Sequence, residues 1–211
     1  PAFLASLSPE RYCVSVAHVS VAAASGNLDY FMGLTGRYET GYRDHSQRLD
    51  GHFNANLGLE LAQNFSTRFF FEALRSDVEF PGMLSPQSAA DDPTQALGDV
   101  TLGPLFPGGP ILYLADGAAE DEHGRTVLSA RIANATEFSL FGVDFDAGAH
   151  YVRRGIENAQ IDYIGVIEDQ GSEWGARLAA ERAFGLFGVE TMIRLGGNYA
   201  TGSKSSNRFE N

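Results

Sequence analysis

From Leu49 to Leu61 every second residue is apolar or glycine: Leu49, Gly51, Phe53, Ala55, Leu57, Leu59 and Leu61. The residues between them are Asp50, His52, Asn54, Asn56, Gly58 and Glu60. A period of two belongs to a β-strand, whose side chains alternate between the two faces of a sheet. The division also fixes register, because a slip of one residue would turn every leucine to the polar side. The run is long, since strands of ordinary globular proteins hold about 5–6 residues. A chain with such a strand needs a sheet with one greasy face and one wet face.

The same division recurs along the chain. In 27–40, Leu28, Tyr30, Met32, Leu34 and Tyr38 oppose Asp29, Gly33, Thr35, Arg37 and Glu39, with Phe31 out of step. In 67–75, Phe69, Phe71 and Ala73 oppose Arg68 and Glu72, with Phe70 and Leu74 out of step. In 125–141, Leu128, Ala130, Ile132, Thr136, Phe138 and Leu140 oppose Arg131 and Glu137. Segments 143–151, 173–184 and 189–200 follow the pattern, and 12–21 follows it with a slip near Ala17.

These segments predict about eight antiparallel strands of roughly 10–16 residues, where a tilted membrane strand needs about 9–11 for the hydrocarbon. Their connections alternate short (24–27, 62–66, 141–142, 185–188) with long (41–47, 76–124, 155–172 and the tail from Thr201). Short turns at one end and long loops at the other is the layout of an outer-membrane barrel. Tyr38, Tyr42, Tyr151, Trp174 and Tyr199 fall at the long-loop ends, and Phe65, Phe141, Phe184 and Phe187 at the short-turn ends, as two interfacial girdles would. The expected fold is all-β, an antiparallel transmembrane β-barrel of meander strands. Leu49, Phe53, Leu57 and Leu59 then face lipid, and Asp50, His52, Asn54 and Glu60 face the lumen. A soluble barrel or sandwich reverses the faces, and periodicity alone does not choose between them. Strand length and loop asymmetry favour the apolar face outward.

The 211 residues carry a net charge of −12 and a single lysine, Lys204, which argues against nucleic acid as a partner. The lone Cys13 excludes an internal disulfide and argues against a cysteine-based metal site. Residues 76–124 hold six of the eight prolines, nine carboxylates and no Lys or Arg, and so nine of the twelve net negative charges. A connection that long inside a compact domain is functional or a solvated excursion, and the residues admit both readings. The acidic run Ala119–His123 matches no calcium-loop spacing and reads as solvated, so no metal site is assigned. His18, His45, His52, His123 and His150 form no metal-binding spacing, and no nucleophile, phosphate-loop or dinucleotide motif is present. No catalytic constellation and no cofactor site follow, so the expectation is a protein that is not an enzyme.

Four stretches carry a resemblance: "LDYFMGLTGRYETGYRDHSQ" (28–47), "NLGLELAQNFSTRFFFEALRSDVEFPGMLSPQSAADDPTQA" (56–96), "RIANATEF" (131–138) and "SEWGARLAAE" (172–181). In this order they resemble the barrel of TonB-dependent outer-membrane receptors, the siderophore-receptor branch most of all. The motifs are G-Y-R-[DE]-H-S, N-L-G, T-R-F, P-G-x-L and D-P-x-Q-A. The resemblance covers about 26–211, is weak over 97–124 and is absent from the first 22 residues, which leaves 1–22 as an unassigned N-terminal segment and 23–211 as a partial barrel. It implies a 22-stranded barrel in a bacterial outer membrane that takes up a ferric siderophore or similar metal chelate. The TonB complex would drive it through a plug domain not seen in this chain, which resembles a segment from the first half of such a barrel. Ligand contacts would come from loops 41–47, 76–124 and 155–172. The alternatives are a small autonomous outer-membrane barrel, structural or a pore, and a soluble ligand-binding β-protein.

Overall fold

Alternation puts the hydrogen-bonding groups of every strand sideways, so each strand needs a neighbour on both edges, and consecutive strands joined by tight turns supply it. The computed structural model describes residues 3–7, 12–98, 100–102, 112–115, 117–118, 123–160, 165–187 and 189–209. The strands are β1 (Phe3–Leu7), β2 (Cys13–Ser25), β3 (Leu28–Glu39), β4 (Arg48–Ala62) and β5 (Phe65–Glu79). After the short helix α1 (Pro86–Asp91) come β6 (Val100–Leu102), β7 (Leu112–Ala115), β8 (Gly124–Leu140), β9 (Val143–Gln160), β10 (Gly165–Leu186) and β11 (Val189–Phe209). Nine strands form one antiparallel meander in the order β1-β2-β3-β4-β5-β8-β9-β10-β11, and β6 and β7 pair separately in the long connection.

The sheet is that of a barrel wall, and it does not close. β1 and β11 stand at its two ends, neither paired with a further strand among the described residues. Register is continuous apart from a bulge at Leu61, which fits the turn of Gln63 and Asn64. At 25–28 the turn takes a positive φ at Gly26, and at 140–143 both Phe141 and Gly142 lie at positive φ. These hairpin turns match the right-handed twist of the flanking strands.

Pairing confirms the two faces. Leu34, Phe53, Ala73 and Ala130 stand on successive strands on the apolar side, and Arg37, Asp50 and Ser76 on the polar side. Among the described residues nothing covers the apolar face: Leu34 is 59% exposed and Leu195 72%. Phe53, expected to face outward, points into no enclosed core. Among the described residues the one buried apolar side chain is Ala118, which lies in the long connection and not in the sheet.

The outer aromatics follow a diagonal. Cross-strand partners run Tyr38, Leu49, Asp77, Thr126, Glu157, Glu168 and Asn207, from β3 to β11. Relative to that row, Tyr151 and Trp174 sit six residues nearer the short-turn end, and Tyr199 eight. Strands tilted to a barrel axis require such a drift, about one residue per strand, for side chains at one height. Trp174 and Tyr199 also touch, with ring centroids 5.3 Å apart.

Three expected connections differ. The described residues of 155–172 are strand: β9 runs on to Gln160 and β10 starts at Gly165, paired without interruption. The tail beyond Thr201 is strand as far as Phe209. The connection 76–124 begins later, after Glu79, and contains α1 and the β6–β7 pair. The helix starts on Ser85, whose side-chain oxygen accepts from the Ser88 amide at 3.0 Å with Pro86 in the first turn, an ordinary N-cap.

Candidate ligand-binding face and loop cluster

Two arrangements of polar groups stand out, one on the wet face of the sheet and one above its long-loop end. On the wet face, side chains reach across the strands. Arg68 on β5 donates to both carboxylate oxygens of Asp29 on β3, at 2.7 and 2.8 Å, and to Asn56 Oδ1 on β4 at 2.6 Å. His52 Nε2 lies 3.2 Å from Glu72 Oε1, and His150 Nε2 lies 3.2 Å from Glu173 Oε1. Toward the short turns Arg177 reaches Asp146 at 3.2 Å, and Arg194 stands between Asp146 and Glu181. A shallow depression of about 670 Å³ lies on this face, lined among others by His52, Asn54, Phe70, Arg131, His150 and Asn198. Phe31 and Phe70, out of step in the sequence, line it too. The wall therefore offers donors, acceptors and two aromatic rings, which suits weak contacts to a polar solute.

Three neighbouring polar groups on the apolar face satisfy one another. Thr67 and Thr136 share a hydrogen bond of 2.8 Å, Asn134 donates to Thr67 at 2.8 Å, and Thr136 donates to Asn134 at 3.0 Å. Such closure is what an environment without water demands.

Above the sheet, the connection 40–47 and the long connection pack as one unit on Arg43. Its Nε donates to the Gln95 carbonyl at 2.9 Å, its Nη1 to that of Gly82 at 2.7 Å and its Nη2 to that of Pro81 at 3.1 Å. The Asp44 amide donates to the Thr94 carbonyl at 2.7 Å, and His45 Nε2 bonds the His123 carbonyl at 2.7 Å. Gly41 takes a positive φ of 73°, and a β-carbon there would lie 2.1 Å from Ser46 Oγ, so the tight approach needs glycine. Three of the five motifs thus meet in space: G-Y-R-D-H-S supplies Arg43, P-G-x-L supplies the Pro81 and Gly82 carbonyls, and D-P-x-Q-A supplies that of Gln95. Backbone bonds from Phe80 to His123, Leu97 to Pro81 and Ala118 to Leu97 close the unit, which buries His123 and Ala118. The part of the long connection that is described is ordered by specific bonds. Tyr42 and Met83 are exposed at its surface.

Of the expected ligand loops, 41–47 and the described part of 76–124 come together, and 155–172 joins the sheet instead. The acidic residues Glu120, Asp121 and Glu122 lie outside the described residues. Sequence reasoning missed Arg43 as the organiser, because main-chain carbonyls are its partners and these leave no trace in residue identity.

Two charge effects mark the strand ends above the aromatic diagonal. The Arg75 guanidinium bonds Asp77, with Thr126 adding a further bond, and holds that carboxyl below its ordinary range. The Tyr12 hydroxyl donates to Glu39 and lowers its pKa, with Arg37 acting the same way, while the Tyr12 phenol is raised in return.

These features define an open antiparallel barrel wall with an ordered loop cap. The solved structure of the unliganded ferric citrate transporter FecA is similar, with a TM-score of 0.72 over 98% of this chain. At 12% identity the likeness is one of fold, and this chain spans 29% of that protein's length. No family model matches the sequence, and no curated protein does.

Proposed function

We propose that this chain is a wall sector of an outer-membrane transporter barrel that takes up a metal chelate, with TonB-type energy coupling. The observation that carries the reading is the uncovered apolar face, with no buried apolar side chain in the sheet among the described residues. In water such a face costs about 25 cal/mol for each Å² left exposed, and lipid removes that cost. The free edges at β1 and β11 need strand partners in lipid, which a larger barrel supplies. No helix of the described residues is long and apolar enough to cross a membrane, so any crossing is by strands. The wet face then lines the lumen, and the loop unit held by Arg43 forms part of the outer vestibule. The autonomous small barrel is less favoured, because among the described residues nothing pairs β1 with β11.

The seven carboxylates of 80–123, without Lys or Arg, favour a neutral or cationic chelate over an anionic one. Arg43 is not free to bond a ligand directly, since backbone carbonyls occupy its guanidinium. The citrate complex named for FecA fits this loop poorly by charge.

The test uses the whole barrel, with Cys13 changed to Ser and single cysteines placed at Phe53 or Asn54. A lipid-phase quencher should reach a label at position 53 and not one at 54. Equal quenching at both, or a chain that stays in solution without detergent, overturns the membrane reading. Uptake of radiolabelled iron on cationic and anionic chelates then tests the cargo, and faster uptake of the anionic form would overturn the charge argument.

A further inference from the structure

We infer that the apolar face carries a site for an anionic lipid at the level of the outer aromatic diagonal; this rests on the lipid-facing reading above. Between Tyr38 on β3 and Tyr151 on β9 the diagonal crosses β4, β5 and β8 at Gly51, Ala73 and Ala130. There the aromatics stop and the side chains are the smallest available. A groove of about 590 Å³ results, walled by Leu34, Phe53 and Leu128. A β-carbon at Gly51 would meet nothing within 4 Å, so the floor is open. Its apolar lining suits an acyl chain.

The rim on the long-loop side is basic. Arg75 projects beside Gly51 from β5, and Arg153 beside Ala130 from β9, so the two flank β8 on the apolar face. The charge of Arg75 is matched by Asp77 at 2.7 Å. Arg153 makes no ion pair among the described residues, and it is exposed. An arginine without a counter-charge at interfacial height, beside an apolar groove, calls for an anion supplied from outside the chain. Its planar fork suits a phosphate oxygen pair. Gln170 adds an amide at the same rim. Acyl chain below and phosphate above is the geometry of an anionic lipid, and a zwitterionic lipid would satisfy the groove without matching the net charge of the rim.

The test uses the whole barrel purified in detergent, offered phosphatidylglycerol or phosphatidylcholine with the same acyl chains, with retained lipid counted by native mass spectrometry. One phosphatidylglycerol should be retained about tenfold more tightly than phosphatidylcholine. Arg153→Gln should bring the two to parity, and Gly51→Leu should reduce both by filling the floor. Inorganic phosphate should not displace the lipid. Equal retention by the unaltered protein, preference that survives Arg153→Gln, displacement by phosphate alone, or a dimer that occupies the groove would each overturn the proposal. Heat-modified electrophoretic mobility checks that each variant is folded, and Arg153→Lys, which should keep part of the preference, serves if the glutamine variant does not fold. A membrane-embedded barrel without lipid preference sinks this site alone, whereas a chain that needs no detergent sinks the membrane reading with it.

Discussion

Arg68 and Asp29 join β5 to β3 over the top of β4, and Gly58 is the residue they cross. A β-carbon on Gly58 would lie 2.3 Å from Asp29 Oδ2 and 2.5 Å from Arg68 Nη2. Both side chains are flexible at those atoms, so an alanine there costs the pair and not the backbone. The pair is about two-fifths exposed at each partner, which limits its worth through solvent screening. Gly58→Ala should therefore destabilise the barrel by about 1 kcal/mol, and Asp29→Asn by a similar amount. The double variant should lose little more than either alone, because one interaction is removed twice. Unfolding of the whole barrel in urea, followed by tryptophan fluorescence, measures this; fully additive losses would show that the crossing does not depend on Gly58.

Arg43 holds three carbonyls from two segments of the long connection, and its fork presents nitrogens in a fixed plane. Lysine is a single point charge and reaches one carbonyl at a time. Arg43→Lys should then behave almost like Arg43→Ala. Local opening of 80–98 should become about tenfold more frequent in both, the change that ~1.4 kcal/mol brings. Limited proteolysis of folded barrels reads it, as faster cleavage near exposed Met83 with the strands intact.

Much of the sheet is legible in the residues, and the reason is physical. Where one face meets apolar surroundings, each residue is chosen for its side, so β4 and β8 announce themselves. Above the aromatic diagonal both faces meet polar surroundings and that selection stops. Residues 155–160 and 165–172 mix Ile, Glu, Asn and Gly without a period, yet β9 and β10 stay paired through them, because main-chain bonds do not depend on side-chain identity. The same holds for 201–209 of β11. The loop unit is half legible: the motifs are visible, and their meeting is not, since Arg43 binds carbonyls 38 to 52 residues away. Phe31 and Phe70 are visible as breaks in parity, and their place on the wet wall gives those breaks a meaning.

The strand tops should respond to acid. Asp77 and Asp169 are both held below their ordinary carboxylate pKa, Asp77 first by its bond from Arg75 and Asp169 first by its bond from Ser206, then Lys204. A group whose pKa is lowered by folding stabilises the folded form above the unfolded value, about 4, and that contribution disappears as pH falls through the folded value. Amide exchange at the tops of β5 and β10, corrected for intrinsic rates, should be constant from neutral pH to about 5 and rise below about 4. Asp77→Asn should abolish the response on β5 and leave that on β10. An unchanged profile in the variant would assign the acid response to other carboxylates.

Phe141 sits in the turn between β8 and β9 at a φ of 54°, with Gly142 at 73°, and its side chain is 88% exposed. A bulky residue in that backbone region is strained by about 1 kcal/mol or more, and asparagine occupies the same place at little cost. Phe187 repeats the arrangement at the next short turn, with a φ of 52° and 97% exposure. A residue kept against its backbone preference at two equivalent turns points to a gain elsewhere, and an aromatic ring at the edge of a bilayer supplies one. The two effects separate by solvent. Phe141→Asn should raise stability in a detergent micelle by about 0.5–1 kcal/mol, because only the turn is then tested. In a lipid bilayer the same change should bring no gain or a net loss, as the ring leaves the interface. Matched unfolding titrations in micelles and in vesicles decide it, and equal stabilisation in both would remove the interfacial role from Phe141.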